Sequence, residues 1–393
     1  MLNFLVRRFL MSLVFSAFMN ASAFATLFDQ TRAVTFTVKV PAFTPKNSKI
    51  YITGNIPELG NWGAAGVEAQ LILPNIYQAV VNIPQSVTTI DYKITRGTWA
   101  SDASDSFSHA IANSNYQFNA ADISPVELVS DIVQWQDLPP LGVTGNLQIV
   151  SNFYSPQLNN SRTLRIWLPP SYATHSNLHY PVIYAHDGQN LFDPATASFG
   201  VEWSLDETLQ SMILSHQLPE VIVVGIDCNT NRMQEYDYTM PAGQAYVSFL
   251  LQTVKPYIDQ NFRTLPGRES TYSMGSSMGA LISMALMWNH PEVFSKAAGL
   301  SFPALIPNLS PYHVIEDAPV PTLPVQFYLD SGDFHNDALY PAAIANFLPQ
   351  LAQVGFPANE LTHLQFHYAD HFEADWARRV SIPLSFLLKG SAR

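Results

Sequence analysis

The sequence predicts an α/β fold, a parallel sheet covered by helices, preceded by a small antiparallel β-sandwich. Three observations carry that prediction. From about residue 145 onward, apolar strand-like runs alternate with longer helical segments, the pattern of a parallel sheet with helices on its faces. Before residue 137, short alternating runs are separated by Pro, Gly and Asn, and no long helical period appears. Between them lies Asp137-Leu138-Pro139-Pro140-Leu141-Gly142, where two prolines and a glycine block regular structure.

Residues 1–25 read as a signal peptide. Arg7 and Arg8 precede an apolar stretch from Phe9 to Met19, and Asn20-Ala21-Ser22-Ala23-Phe24-Ala25 offers small residues for cleavage. The apolar stretch falls short of the roughly 20 residues a bilayer crossing needs. An exported protein, periplasmic or secreted, is therefore expected, with no membrane anchor after cleavage. The sandwich is expected over 30–137, with strands at Val34–Val40, Lys49–Gly54, Tyr77–Ile83 and Thr89–Ile94. A linker follows over 138–144 and the α/β domain over 145–393. Its predicted strands are Thr163–Pro169, Pro181–Asp187, Glu220–Asp227, Ser270–Gly275, Val325–Gly332 and Leu361–Ala369. Its predicted helices are Trp203–Ser215, Gln244–Phe262, Ala280–Asn289, Leu339–Val354 and Trp376–Leu388.

Composition narrows the function classes. Apolar residues at 47% and charged residues at 13% of 393 positions describe a chain that buries a core. A formal charge of -12 without Lys/Arg clusters argues against a nucleic-acid partner. A single cysteine, Cys228, rules out a disulfide within the chain and any multi-cysteine metal site. Its place after the run Val221–Asp227 reads as a small packed residue rather than a reactive thiol. His186 and Asp187 are adjacent but lack further spaced ligands, so no metal is expected, and no cofactor either. The oligomeric state is left open.

Open α/β sheets present their chemistry at the carboxyl ends of the strands. Gly275-Ser276-Ser277-Met278-Gly279 closes one predicted strand and runs straight into a helix. A serine hydroxyl is a weak nucleophile until it is exposed, set beside a base and given a site for the developing oxyanion. A strand-turn-helix elbow supplies the exposure and aims a helix N-terminus at that charge, so Ser277 is the candidate nucleophile. The base should follow in the chain order Ser, acid, His, which His371 satisfies after the last predicted strand. His363 and His367 fall inside that strand and read as core or surface residues. For the acid, Leu329 to Leu339 offers Asp330, still within a strand, then Asp333 and Asp337. Asp337 is favoured and Asp333 is the alternative, each otherwise a helix cap or turn residue. In the loop His186–Asp193, the backbone N–H of Gln189 or Asn190 would join that of Met278 to hold the oxyanion.

Taken in order, Tyr180–Asp193, Val201-Glu202-Trp203, Glu220–Asp227, Arg232–Tyr236, Tyr272–Met284, Tyr328–Asp333 and Ala369–Arg379 resemble the esterase D family of α/β-hydrolases. The likeness covers about Gly145 to Leu388. It implies an α/β-hydrolase fold and carries the family serine to Ser277, the histidine to His371 and the acid to Asp337. Two more residues than usual separate Asp337 from Gly332, and Ala280 stands where many relatives have a second glycine. Lys49–Trp62 and Thr89–Trp99 resemble a starch-binding type of carbohydrate-binding module. That likeness offers Trp99 as a stacking platform for a sugar ring, Tyr92 as a weaker one, with Trp62 and Tyr92 expected in the core.

The function expected is hydrolysis of a carboxylic ester, small or carbohydrate-linked, through an acyl-enzyme on Ser277, His371 and Asp337. Acyl transfer and siderophore trilactone hydrolysis use the same residues and remain alternatives. A non-catalytic glycan-binding protein is the alternative of another class.

Overall fold

The computed structural model describes residues 30–305, 311–316 and 318–388, so the segment expected as a signal peptide lies outside the described residues. The chain divides after Pro139 into two compact units.

In the first unit the strands are β1 (Thr31–Lys39), β2 (Ile50–Gly54), β3 (Val67–Leu73), β4 (Ile76–Pro84), β5 (Thr89–Thr95), β6 (Ala103–Ser104), β7 (Ser114–Gln117), β8 (Val126–Asp131) and β9 (Gln134–Trp135). Seven of them are hydrogen-bonded in the order β7-β5-β2-β3-β4-β1-β8, while β6 and β9 pair separately. All neighbours run antiparallel except β1 and β8, which are parallel. The period-two signal of β1 is real: Val34, Phe36 and Val38 are fully buried. The strand β3 escapes sequence reading because Leu71, Ile72 and Leu73 are all exposed, so its apolar residues do not alternate.

The second unit is an eight-stranded sheet. Its strands are β10 (Asn146–Ser155), β11 (Asn160–Leu168), β12 (Val182–His186), β13 (Ile222–Ile226), β14 (Thr271–Ser276), β15 (Lys296–Leu300), β16 (Gln326–Gly332) and β17 (Leu361–Phe366). They lie in the order β10-β11-β13-β12-β14-β15-β16-β17. The first two connections are antiparallel and all strands from β13 to β17 are parallel. Helices α1 (Leu205–Leu214), α2 (Arg232–Glu235), α3 (Pro241–Phe249), α4 (Lys255–Asn261), α5 (Met278–Asn289), α6 (Pro311–Glu316), α7 (Tyr340–Gln353), α8 (Glu373–Arg379) and α9 (Ser381–Leu388) connect them. Two apolar clusters result, one built on Tyr184, Val224 and α5, the other on Ile183, Val223, Trp203 and Trp376. Tyr184 and Ile183 are neighbours on β12 that point to opposite faces, so the sheet is buried on both sides.

The helix α5 is buried along its length from Met278 to Trp288, which explains its lack of a polar face. The predicted helix Gln244–Phe262 is two helices joined by a π-helical turn at Leu250–Val254. Pro256, which follows, has no N–H to continue the ladder. No helix among the described residues is long and apolar enough to cross a membrane.

Candidate active site

The elbow between β14 and α5 places Ser277 at φ 54°, ψ -126°, a backbone conformation that costs a non-glycine residue about 1–3 kcal/mol. Packing enforces it. A Cβ on Gly275 would lie 2.6 Å from the backbone of Gly279, so position 275 must be glycine for the turn to close. Ala280 is accommodated from the facing strand: a Cβ at Gly299 would come within 2.9 Å of the Ala280 methyl. As the first residue of α5, Met278 has no carbonyl one turn back in its own helix to receive its N–H.

The loop after β12 turns at Asp187, which is left-handed at φ 57°, into a short 3-10 turn over Gly188–Asn190. A Cβ on Gly188 would meet the backbone of Gly225 at 2.6 Å, so this loop lies directly on β13. The side chain of Gln189 is pinned to Cys228, donating to its Sγ at 3.2 Å and accepting from its backbone N–H at 3.1 Å. The Gln189 backbone carbonyl accepts from Thr196 Oγ1 at 2.8 Å. Asn190 is buried and clamped: its Nδ2 donates to Glu373 at 3.1 Å and its Oδ1 accepts from Ser198. Asp187 holds Arg232 through two 2.7 Å bonds. His186 is fully buried between the Tyr246 and Ser273 hydroxyls at 2.9 and 3.3 Å, and burial drives its pKa down to about 3. Both of its ring nitrogens are thus occupied within the core. Burial pushes the Cys228 thiol up to about 12, the opposite of an activated cysteine.

The acid and the histidine come from the loops that follow β16 and β17. Asp337 is fully buried, and its Oδ1 lies 2.7 Å from His371 Nδ1. Its Oδ2 accepts from Ser301 Oγ at 2.6 Å and from the Gly332 N–H at 2.9 Å. Burial works against the charged form, but these bonds outweigh it and hold the Asp337 carboxyl below the usual carboxylate range. Ser301 has no freedom in this. Trp376 Nε1 and Arg379 Nη2 both donate to its oxygen at 2.9 Å, so its single proton goes to Asp337. Arg379 is in turn paired with Asp330 at 3.1 Å, which accounts for that third aspartate as a structural anchor.

Asp333 does not meet His371 in this arrangement. Its carboxylate contacts His367 Nδ1 at 2.7 Å and accepts from Gln365 and the Tyr368 N–H. His367 itself falls just past the end of β17 rather than inside it. The two loops cross so closely that a Cβ on Gly332 would sit 1.9 Å from the Ala369 carbonyl oxygen.

Tyr340, at the start of α7, packs against the histidine. Its ring lies 5.3 Å from the His371 ring, and burial with Asp337 nearby pushes its phenol up to about 12. Trp376 contacts His371 edge-on at 5.2 Å. Exposed Phe199 and half-buried Phe372, the residue after His371, form an aromatic pair 6.4 Å apart. Tyr340 and Trp376 fall in segments the sequence marks without a role being read for them, whereas Ser301 falls in none.

One group of carboxylates has metal-like spacing: Glu202, Asp206 and Glu207 offer oxygens within 4.8 Å of one another. Asp206 is fully buried, and burial together with the neighbouring acids pushes it up to about 10. Thr144 donates to two of the three, its N–H to Asp206 Oδ2 at 2.6 Å and its hydroxyl to Glu207 Oε1 at 3.0 Å.

In the first unit, Trp99 is 44% exposed and tilts against Trp62 with ring centroids 6.4 Å apart. Trp62 is only half-buried, not a core residue as expected, because the chain turns left-handed at Asn61 and Trp62 and swings its ring outward. Tyr92 is buried.

Known proteins resemble both units. The family described as Putative esterase matches residues 155–378, more than half of the chain, and the Starch binding domain matches residues 31–124. The uncharacterized protein YbbA of Bacillus subtilis is 29% identical over 153 residues, which span 36% of this chain and 56% of that protein. A ferulic acid esterase superposes with a TM-score of 0.51 at 22% identity, covering 62% of this chain and 98% of its own. The enterobactin esterase FES of Shigella flexneri superposes with a TM-score of 0.54 at 14% identity, covering 92% and 94%. The chain belongs to the Putative esterase family, and its second unit has the α/β-hydrolase fold of these solved esterase structures.

Proposed function

We propose that this member of the esterase family cleaves a carboxylic ester, small or carbohydrate-linked, through an acyl-enzyme on Ser277. In this reading His371 takes the Ser277 proton as general base and later returns it to the departing alcohol. Asp337 fixes the imidazole and stabilises it once charged. The N–H groups of Met278 and Gln189 hold the oxyanion. The observation that carries the reading is the 2.7 Å contact between buried Asp337 and His371 Nδ1. It assigns the imidazole proton to Nδ1 and so leaves the lone pair on Nε2, the tautomer a base needs. Exposed Phe199, paired with half-buried Phe372, suits a flat apolar group on the ester.

A fluorophosphonate probe tests the nucleophile. Labelling of the folded wild type that is lost in Ser277→Ala supports the reading, and a folded wild type that takes no label overturns it.

The first unit is proposed to hold the enzyme on a glycan, with Trp99 and Trp62 as the stacking surface, in line with its match to the starch-binding family. Depletion of the protein by insoluble starch is the measurement. Trp99→Ala should lower bound protein about fivefold or more, the loss of one stacking contact of roughly 1 kcal/mol. Equal depletion of the two proteins would sink the idea.

A further inference from the structure

The segment Arg232–Tyr236 stands out in the sequence, and the Ser-His-Asp scheme gives it no role. The structure joins it to the loop after β12. Arg232 donates to both oxygens of Asp187, from Nε and from Nη2, each at 2.7 Å, and the Tyr236 hydroxyl accepts from the Asp187 N–H at 3.2 Å. The segment is itself fixed, because Glu235 is buried against Arg162 at 3.0 Å and Tyr236 is fully buried. Asp187 is buried and left-handed, and it opens the turn that carries Gln189. On its other side, Asp187 Oδ2 lies 3.4 Å from where a Cβ on Gly279 would stand, one residue past Met278 in α5. One carboxylate thus borders both backbone segments whose N–H groups are proposed to hold the oxyanion.

A buried carboxylate is a poor neighbour for an oxyanion, since two negative charges repel strongly where little water screens them. We propose that Arg232 is a positioning residue for the oxyanion-binding N–H groups, fixing the turn at Asp187 and cancelling the charge of its carboxylate. The proposal rests on the reading of Ser277 as nucleophile and of Met278 and Gln189 as oxyanion donors. Arg232 makes and breaks no bond. Ser277 Oγ adds to the ester carbonyl carbon, its proton passes to His371 Nε2, and the carbonyl electron pair becomes the oxyanion; Arg232 sets the field in which that negative oxygen forms. Arginine suits the task, because its planar fork makes two parallel bonds to a carboxylate and its charge is permanent. The same matching recurs at Asp227, whose Oδ1 lies 2.8 Å from where a Cβ on Gly188 would stand and which is paired with Arg165 at 2.7 Å.

A double-mutant cycle on one 4-nitrophenyl ester separates the charge from the clamp. Arg232→Met strands the carboxylate, so kcat should fall about a hundredfold, the order of losing one oxyanion donor, with KM within about threefold of wild type. Adding Asp187→Asn removes the stranded charge while the clamp stays broken, and about tenfold or more of kcat should return. A trifluoromethyl ketone, whose serine adduct carries the oxyanion, should lose affinity for each variant in step with kcat/KM. A double variant no faster than Arg232→Met, or Arg232→Met with wild-type kcat, would overturn the proposal. Thermal melting of each variant separates loss of fold from loss of charge. Should Arg232→Met fail to fold, Arg232→Lys and Arg232→Gln read the charge directly: the glutamine variant should be at least about tenfold slower, and equal rates would count against the proposal just as firmly. Turnover by Ser277→Ala would instead remove the nucleophile assignment, and the proposal with it.

Discussion

Two aspartate–histidine pairs lie side by side in this molecule, and they differ in everything except their geometry. Asp337–His371 and Asp333–His367 both close at 2.7 Å through Nδ1, and both bridge the same two loops. In the first pair the side chains are 0% and 20% exposed; in the second they are 18% and 61% exposed. The buried carboxylate has Ser301 and the Gly332 N–H on its second oxygen, and its histidine is flanked by Tyr340 and Trp376. The exposed carboxylate braces a loop, accepting from the Tyr368 backbone and Gln365. A short Asp–His contact alone does not separate the two pairs. Burial and a fixed set of partners do, because a water-exposed pair is screened and contributes little, and on that ground the proposed base is His371.

The sharpest way to break this contrast is to neutralise each acid in turn. Asp337→Asn should lower kcat by about a thousandfold or more, since the amide favours the wrong imidazole tautomer. Asp333→Asn should stay within about threefold of wild type by the same kcat measurement. If the two losses were alike, the pairs would be functionally equivalent and the assignment of the acid would fail.

A smaller effect sharpens what the supporting shell adds. Ser301→Ala removes one bond to Asp337 and leaves Trp376 Nε1 and an Arg379 N–H without their acceptor. A loss of about 1–3 kcal/mol in unfolding free energy is expected, with about a tenfold fall in kcat. Chemical denaturation and steady-state kinetics read these separately. An intact kcat would show that burial alone is enough.

The smallest expected effect concerns Glu373, which links the histidine side of the site to the oxyanion loop through Asn190. Burial raises its pKa to about 7. A carboxyl whose folded pKa lies above its unfolded value binds protons more tightly in the native state, so its contribution is fully present below the unfolded value and is lost as pH rises through about 7. Between pH 5 and pH 8 the wild type should therefore lose more in Tm than Glu373→Gln does, by a few degrees. Parallel melting shifts in the two proteins would remove Glu373 from the pH response.

Much of this was legible in the sequence because the relevant signals are local. The elbow at 275–279 announces itself by two glycines between a β-rich run and a helix, and the chain order then directs attention to Asp337 and His371. Long-range features were less legible. β15 reads Lys-Ala-Ala-Gly-Leu, which lacks β-branched residues, and its small side chains are set by the neighbours it must pack against, Ala280 above all. β10 is interrupted by a bulge between Val150 and Phe153 that breaks the alternation on which strand reading depends. Ser301 and Tyr340 become meaningful only when strands distant in sequence are adjacent, and no spacing rule encodes that. Trp62 is the instructive miss: a large aromatic ring normally packs inward, but left-handed backbone at Asn61 and Trp62 turns this one out.

The crossing of Gly332 beneath Ala369 has a consequence for how the chain is made. β17 is the edge strand of the sheet and pairs with β16 alone, and His371 follows it. Synthesis from the N-terminus completes the Ser277 elbow about ninety residues before the base emerges. Until β17 docks on β16 and brings Ala369 over Gly332, His371 cannot reach Asp337, so this edge strand completes the constellation that the proposed chemistry needs.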